Sequence, residues 1–227
     1  MLACFTKFGT FKCFGFNIDG IFMPLSNVKT DLQVLIPINE GIINAVDVNL
    51  NYYINVSGRI SYSSYGDRPV EINSVSLEYS SYSSKMPVRI GSVRIEYSSY
   101  SNMPIKIGNT RIEYSSYTGL PVSIGYTRIE YSSNTNVPVS IGSIRIEYSS
   151  YSNSPVKVGN TRIEYSSYTG LAINIGYIRI EYSSYTNVPV SVGGTRIEYS
   201  SYSNKPVRIG NTRVEYSSYS NMPVSIN

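Results

Sequence analysis

The chain has no histidine and no tryptophan, and only two cysteines among its 227 residues. The missing histidine excludes Ser-His and Cys-His nucleophile pairs and every imidazole-based metal site. Cys4 and Cys13 both lie within the first 13 residues, so no disulfide framework can staple the rest of the chain, and two thiols alone lack the further ligands of a zinc site. No apolar run approaches the roughly 18 residues of a membrane helix, and no secretory signal is visible. An excess of one charge is also missing. Nineteen basic and 15 acidic residues leave a net charge of +4, and most alternate locally as Arg then Glu. A nucleic-acid footprint needs basic clustering that is not there. No cofactor, no metal, no nucleic-acid partner and no membrane-spanning segment are therefore expected.

What the chain has in abundance is repetition. From residue 59 to the end it holds ten copies of one short unit, clearest as Arg94-Ile95-Glu96-Tyr97-Ser98-Ser99-Tyr100. The glutamates Glu96, Glu113, Glu130, Glu147, Glu164, Glu181, Glu198 and Glu215 recur every 17 residues. A unit this short cannot bury a core alone, so neighbouring copies must pair or stack. Two parts follow: residues 1–58, a β-rich cap holding all six phenylalanines, and residues 59–227, the tandem array. In the cap, Leu32 to Ile38 reads as a strand stopped by Pro37, and Ile43 to Leu50 largely alternates apolar and polar. Its expected role is to cover the first exposed edge of the array.

Each copy reads as two strands. Pro104-Ile105-Lys106-Ile107 and Thr110-Arg111-Ile112-Glu113-Tyr114 both alternate, and Gly108-Asn109 between them has the glycine-first, small-polar-second form of a type II′ hairpin turn. Gly91-Ser92, Gly142-Ser143, Gly159-Asn160 and Gly210-Asn211 repeat it. The other bend carries Asn102, Gly119, Asn136, Asn153, Gly170, Asn187, Asn204 and Asn221 at one equivalent place, which points to a left-handed backbone there. Prolines open the first strands, where a missing N–H costs least.

This pattern predicts an all-β fold: an array of 17-residue β-hairpin repeats forming an antiparallel meander or curled sheet, with a β-solenoid as the alternative. In a solenoid the arginines of successive copies would stack about 4.8 Å apart. Like charges directly opposite are unfavourable, which favours the meander. There a Gly-Asn turn sets Lys106 beside Arg111, with Glu96 on the preceding strand as its other neighbour. Ile105, Ile107, Ile112 and Tyr114 then share an apolar face that must curl on itself, be covered by the N-terminal segment, or meet a partner.

The glutamates are the only recurrent acid–base candidates. Each has an arginine two residues earlier on the same strand face, so they read as a solvated charge row, and no catalytic residue is assigned. Tyr97, Tyr114, Tyr148 and Tyr165 fall on the apolar face and read as core packing. The second tyrosines, Tyr100, Tyr117, Tyr151, Tyr168, Tyr185, Tyr202 and Tyr219, fall in the bends, in a row broken where Asn134 replaces one. They are the candidate binding residues, since tyrosine stacks on sugars and anchors protein interfaces; interdigitation between adjacent turns is the alternative.

The stretch Arg111-Ile112-Glu113-Tyr114-Ser115-Ser116-Tyr117-Thr118-Gly119-Leu120-Pro121-Val122-Ser123-Ile124 resembles the YD repeat of Rhs-type proteins and teneurins. Ile112 and Tyr114 match its two tyrosine positions and Gly119 its glycine, whereas Ser115 stands in place of the aspartate, the glycine falls later, and the period is shorter. The resemblance covers residues 59 to 227 and implies a winding sheet of hairpins that encloses a toxin or displays a surface.

The expected function is a non-enzymatic structural or adhesive repeat protein, a scaffold presenting its polar ladder and tyrosine edge to a polysaccharide, a protein surface or another copy of itself. The alternative is a shell fragment of an Rhs-like effector. The sequence does not fix a compartment; cell surface or extracellular is the expectation.

Overall fold

The computed structural model describes residues 2–5, 11–18, 21–24, 33–64, 68–82, 86–220 and 222–227. The repeat unit forms the expected hairpin. Pro104–Ile107 and Thr110–Tyr114 run antiparallel, with Lys106 opposite Arg111 and Ile107 opposite Thr110. The turn follows from its glycine: Gly108 has φ +57° while Asn109 does not take a positive φ, the type II′ pattern that matches the twist of the flanking strands. On its other side the unit pairs with the preceding one, Ile95 opposite Ile107 and Glu96 opposite Lys106. Each cation at the middle of a first strand therefore has Arg on one side and Glu on the other, as the charge pattern predicts.

These antiparallel ladders continue without a break through twenty strands and close on themselves. The array begins with a second strand, Gly58–Tyr62, and ends with a first strand, Pro223–Ile226; these two complete one hairpin, with Ser225 opposite Arg59 and Ile226 opposite Gly58. Asn227 takes the place of the turn glycine. It exchanges backbone hydrogen bonds with Arg213 (2.6 and 2.9 Å), as Gly108 N donates to Arg94 O at 2.8 Å within the array. The meander is thus a closed barrel, and among the described residues no sheet edge of the array is left to cover. The N-terminal segment does something other than the edge capping expected of it.

That segment forms a seven-stranded sheet, in spatial order Gln33–Val34, Ile21–Pro24, Phe11–Ile18, Leu2–Phe5, Tyr52–Asn55, Ile43–Val46 and Ile36–Glu40. Pro37 lies inside the last of these instead of stopping it. The strand is the sheet's edge, where a missing N–H is tolerated. Cys4 and Cys13 are register partners in this sheet. Val34, Ile36, Ile43, Val46, Leu50, Tyr52, Ile54 and Val56 join one buried cluster with the isoleucines and valines of all ten hairpins. The opposite side of the sheet buries Phe22, Leu35, Ala45 and Tyr53, with the Phe22 and Tyr53 rings edge to face at 4.6 Å. Curling and coverage by the N-terminal segment together remove the apolar face from water, a hydrophobic gain on the order of 25 cal/mol per Å² buried.

One expected member of that face is misplaced. Ile105 is 39% exposed, whereas Pro104, Ile107 and Ile112 are buried. Tyr97 pairs with Pro104 while its neighbour Glu96 pairs with Lys106, so Ile105 is the extra residue of a β-bulge and turns outward. The bulge recurs in every unit. It brings the proline at the head of the strand inward.

Candidate functional site

The inner tyrosines hold the barrel together by a rule the sequence did not suggest. Each hydroxyl donates to the main-chain carbonyl ten residues earlier: Tyr97 to Pro87 (2.8 Å), Tyr114 to Pro104 (2.5 Å), Tyr165 to Pro155 (2.6 Å) and Tyr199 to Pro189 (2.7 Å). At the closure Tyr62 donates to Pro223, 161 residues away along the chain, at 2.7 Å. Burial raises these phenols above the usual tyrosine range, to about 12 for Tyr97, Tyr131, Tyr165 and Tyr182. Packing, as expected, is their role, with a hydrogen bond added to it.

Directly after each inner tyrosine comes the bend. Ser115 N donates to Leu120 O, Gly119 N donates to Ser115 O, and the Ser115 hydroxyl accepts from Tyr117 N (3.2 Å) and Thr118 N (3.1 Å). The first serine of each Tyr-Ser-Ser is thus a local cap that fixes the turn. Left-handed backbone occurs at Asn102, Gly119, Asn136, Asn153, Gly170 and Asn187, as their residue types require. Asn204 departs from the expectation: its φ is not positive, and Lys205 N donates to Ser203 O instead. Asn221 lies outside the described residues.

The bend throws the next side chain outward. Tyr100, Tyr117, Tyr151, Tyr168, Tyr185, Tyr202 and Tyr219 are 96–99% exposed. Interdigitation is thereby excluded for them. With two strands between equivalents, they line one rim of the barrel at spacings of roughly 10 Å. Tyr82 belongs to the same row but falls out of the 17-residue period, because its unit carries one extra residue before Met86. On the opposite rim, Tyr126 and Tyr177 are fully exposed at the second position of Gly-Tyr turns. Their signal was legible as a bulky residue where the other glycine-first turns have Asn, Ser or Gly.

The outer wall is a charge row. Arg111–Glu113, Arg128–Glu130, Arg162–Glu164, Arg179–Glu181, Arg196–Glu198 and Arg213–Glu215 pair along single strands at 3.4–3.7 Å. The middle residue of the following strand also reaches the glutamate: Ser123 to Glu113 (3.3 Å), Ser140 to Glu130 (3.0 Å), Lys157 to Glu147 (3.5 Å) and Asn174 to Glu164 (2.9 Å). All are solvent-exposed, so each is worth well under about 1 kcal/mol.

Among the described residues one carboxylate is buried. Asp47 accepts from Asn49 N (2.8 Å), Asn51 N (3.0 Å), Asn51 Nδ2 (2.8 Å) and Tyr53 Oη (2.9 Å), and burial outweighs these bonds to raise its pKa. Its bonds shape the turn between two strands of the N-terminal sheet. Among the described residues no cluster of three or more His, Cys, Asp or Glu could hold a metal ion, and no helix is long and apolar enough to cross a membrane. No protein-family model matches the chain, and comparison with curated proteins finds no relative.

Proposed function

We propose that the protein is a non-enzymatic structural or adhesive scaffold, working at a cell surface or in an extracellular assembly, whose tyrosine rim attaches to a polysaccharide, a protein surface or another copy of itself. The observation that carries this reading is the rim. A phenol held fully in water costs the fold apolar exposure and returns no packing, and here the same side chain stands out at bend after bend on one edge. Tyrosines of this kind supply large, rigid contact area with a polar tip. The spacing of roughly 10 Å between bends makes the rim multivalent, so weak single contacts would sum to firm attachment.

The shell reading suggested by the YD-like phrase is less well supported. The residues that would line an enclosed chamber are packed against this chain's own N-terminal sheet. The test is attachment. Binding to insoluble polysaccharides and to whole cells, with self-association by sedimentation, is measured for the native chain and for Tyr117→Ser/Tyr151→Ser/Tyr185→Ser. The triple variant should lose most of whichever attachment the native chain shows. Equal attachment by both proteins would remove the rim from the account.

A further inference from the structure

The ten units of the wall are near-copies, so each serves as a control for the others, and two of them differ. The residue heading the first strand is buried at Pro69, Pro87, Pro104, Pro121, Ala172, Pro189, Pro206 and Pro223 but only half-buried at Pro138 and Pro155. Facing these two units is a cavity of about 390 Å³ between the wall and the N-terminal sheet. Its cause is a mismatch of symmetry, a single sheet set inside a repeating barrel. The sheet leans on one side of the wall: Glu40 accepts from Asn109 N and Thr110 Oγ1 (both 2.9 Å), and the Tyr52 hydroxyl meets that of Tyr97 at 3.4 Å. Further round the wall, Val34 and Val48 of the N-terminal segment border a gap whose other side is Ile141, Ile146 and Val158.

We propose that this space binds a small, largely apolar organic molecule carrying a hydrogen-bonding end. Its size falls in the roughly 300–1,000 Å³ range of small-molecule sites. The lining is aliphatic and aromatic in its depth. Tyr131 and Tyr148 border it with hydroxyls already committed to the Pro121 and Pro138 carbonyls, so their rings offer apolar surface. Primary amides supply the polar part, with Asn49, Asn136 and Asn153 on the border and exposed to solvent. A second observation marks the same place. Asn136 belongs to the bend of Asn134, the position where the tyrosine row is interrupted. At that bend the rim carries no tyrosine, and Tyr151 stands beside the opening only at the neighbouring bend, that of Asn153.

The test uses the full chain and the neutral fluorophore N-phenyl-1-naphthylamine, whose emission rises in apolar surroundings. The native protein should bind one dye per chain, saturably. Val158→Phe fills the cavity and should weaken binding at least tenfold with the melting temperature kept or raised. Val192→Phe, at the equivalent position of a fully packed unit, should lower the melting temperature and leave dye affinity unchanged. Val137→Trp blocks the border from a bend position that elsewhere holds Met, Leu, Ser, Val, Lys or Arg; it should fold independently of Val158→Phe and should also weaken binding tenfold. Absence of one-to-one binding by the native chain, or unchanged affinity in Val137→Trp, overturns the proposal.

Discussion

Two tyrosines three residues apart recur in the units, except where Asn134 replaces the second; they differ in everything but chemistry, and the difference can be measured. Tyr114→Phe, Tyr165→Phe and Tyr199→Phe together remove three hydroxyls that donate to buried-end carbonyls at 2.5, 2.6 and 2.7 Å. Each loss should cost about 0.5–1.5 kcal/mol net of rehydration. The three sites lie at least four strands apart, roughly 19 Å, so their effects should add. The sum, about 1.5–4.5 kcal/mol, corresponds to a fall of roughly 3–18 °C in melting temperature for a chain of this size. The bend triple, Tyr117→Ser/Tyr151→Ser/Tyr185→Ser, removes far more atoms, yet those side chains are 96–98% exposed. Surface changes of this kind stay within about 0.5 kcal/mol each. Thermal melts by circular dichroism on the two triples, against the native chain, decide the matter. If the bend triple is destabilised as much as the phenylalanine triple, the assignment of one set to structure and the other to the surface is refuted.

Two further outcomes follow from the register and the buried phenols. Deleting residues 163–179 removes one whole unit, leaves Arg162 followed by Ile180, and should give a folded, cooperative, less stable barrel of eighteen strands, whereas deleting residues 163–178 adds a residue to a strand, flips its faces and should prevent folding; the two melts compare them. Alkali should open the barrel. Inner phenols whose pKa is raised by burial contribute stability that is complete below their unfolded value of about 10 and is lost as pH rises through the folded value of about 12 for Tyr97, Tyr131, Tyr165 and Tyr182. Absorbance at 295 nm should therefore show those phenols ionising with the loss of β-sheet dichroism near pH 12; ionisation of all tyrosines near pH 10 in an intact sheet would contradict the burial.

The local structure was legible because each unit states it in residue types with one conformational reading. Gly108 before Asn109 specifies the hairpin turn, Asn136 and Gly119 mark the left-handed bend, and the Glu96, Lys106 and Arg111 row fixes which strands are neighbours. The bulge at Ile105 was not legible, because strict alternation predicts an inward side chain and only the pairing across the strand reveals the extra residue. Nor was the Tyr114 to Pro104 bond, which joins two ends of adjacent strands that alternation alone does not align. Closure was not legible either, because it pairs Gly58–Tyr62 with Pro223–Ile226, strands far apart along the chain, and alternation within a strand does not say which distant strands are neighbours. The bend tyrosines were recognisable as a row, but their exposure depends on the Ser115-type cap that orients them. The uneven filling of the interior lies wholly beyond a repeat pattern, since it arises from the one segment that does not repeat.

Closure is the claim on which the rim, the filled interior and the absence of a free array edge all rest. In a background with Cys4→Ser and Cys13→Ser, the pair Arg59→Cys/Ser225→Cys is compared with Ser123→Cys/Arg128→Cys, the same register positions within the array. Mild oxidation with oxidised glutathione, read by gel mobility and by mass spectrometry of the linked peptides, should close both pairs within single chains to a similar extent. Closure of the internal pair alone, with the terminal pair left reduced or linked only between chains, would show an open array and contradict the account.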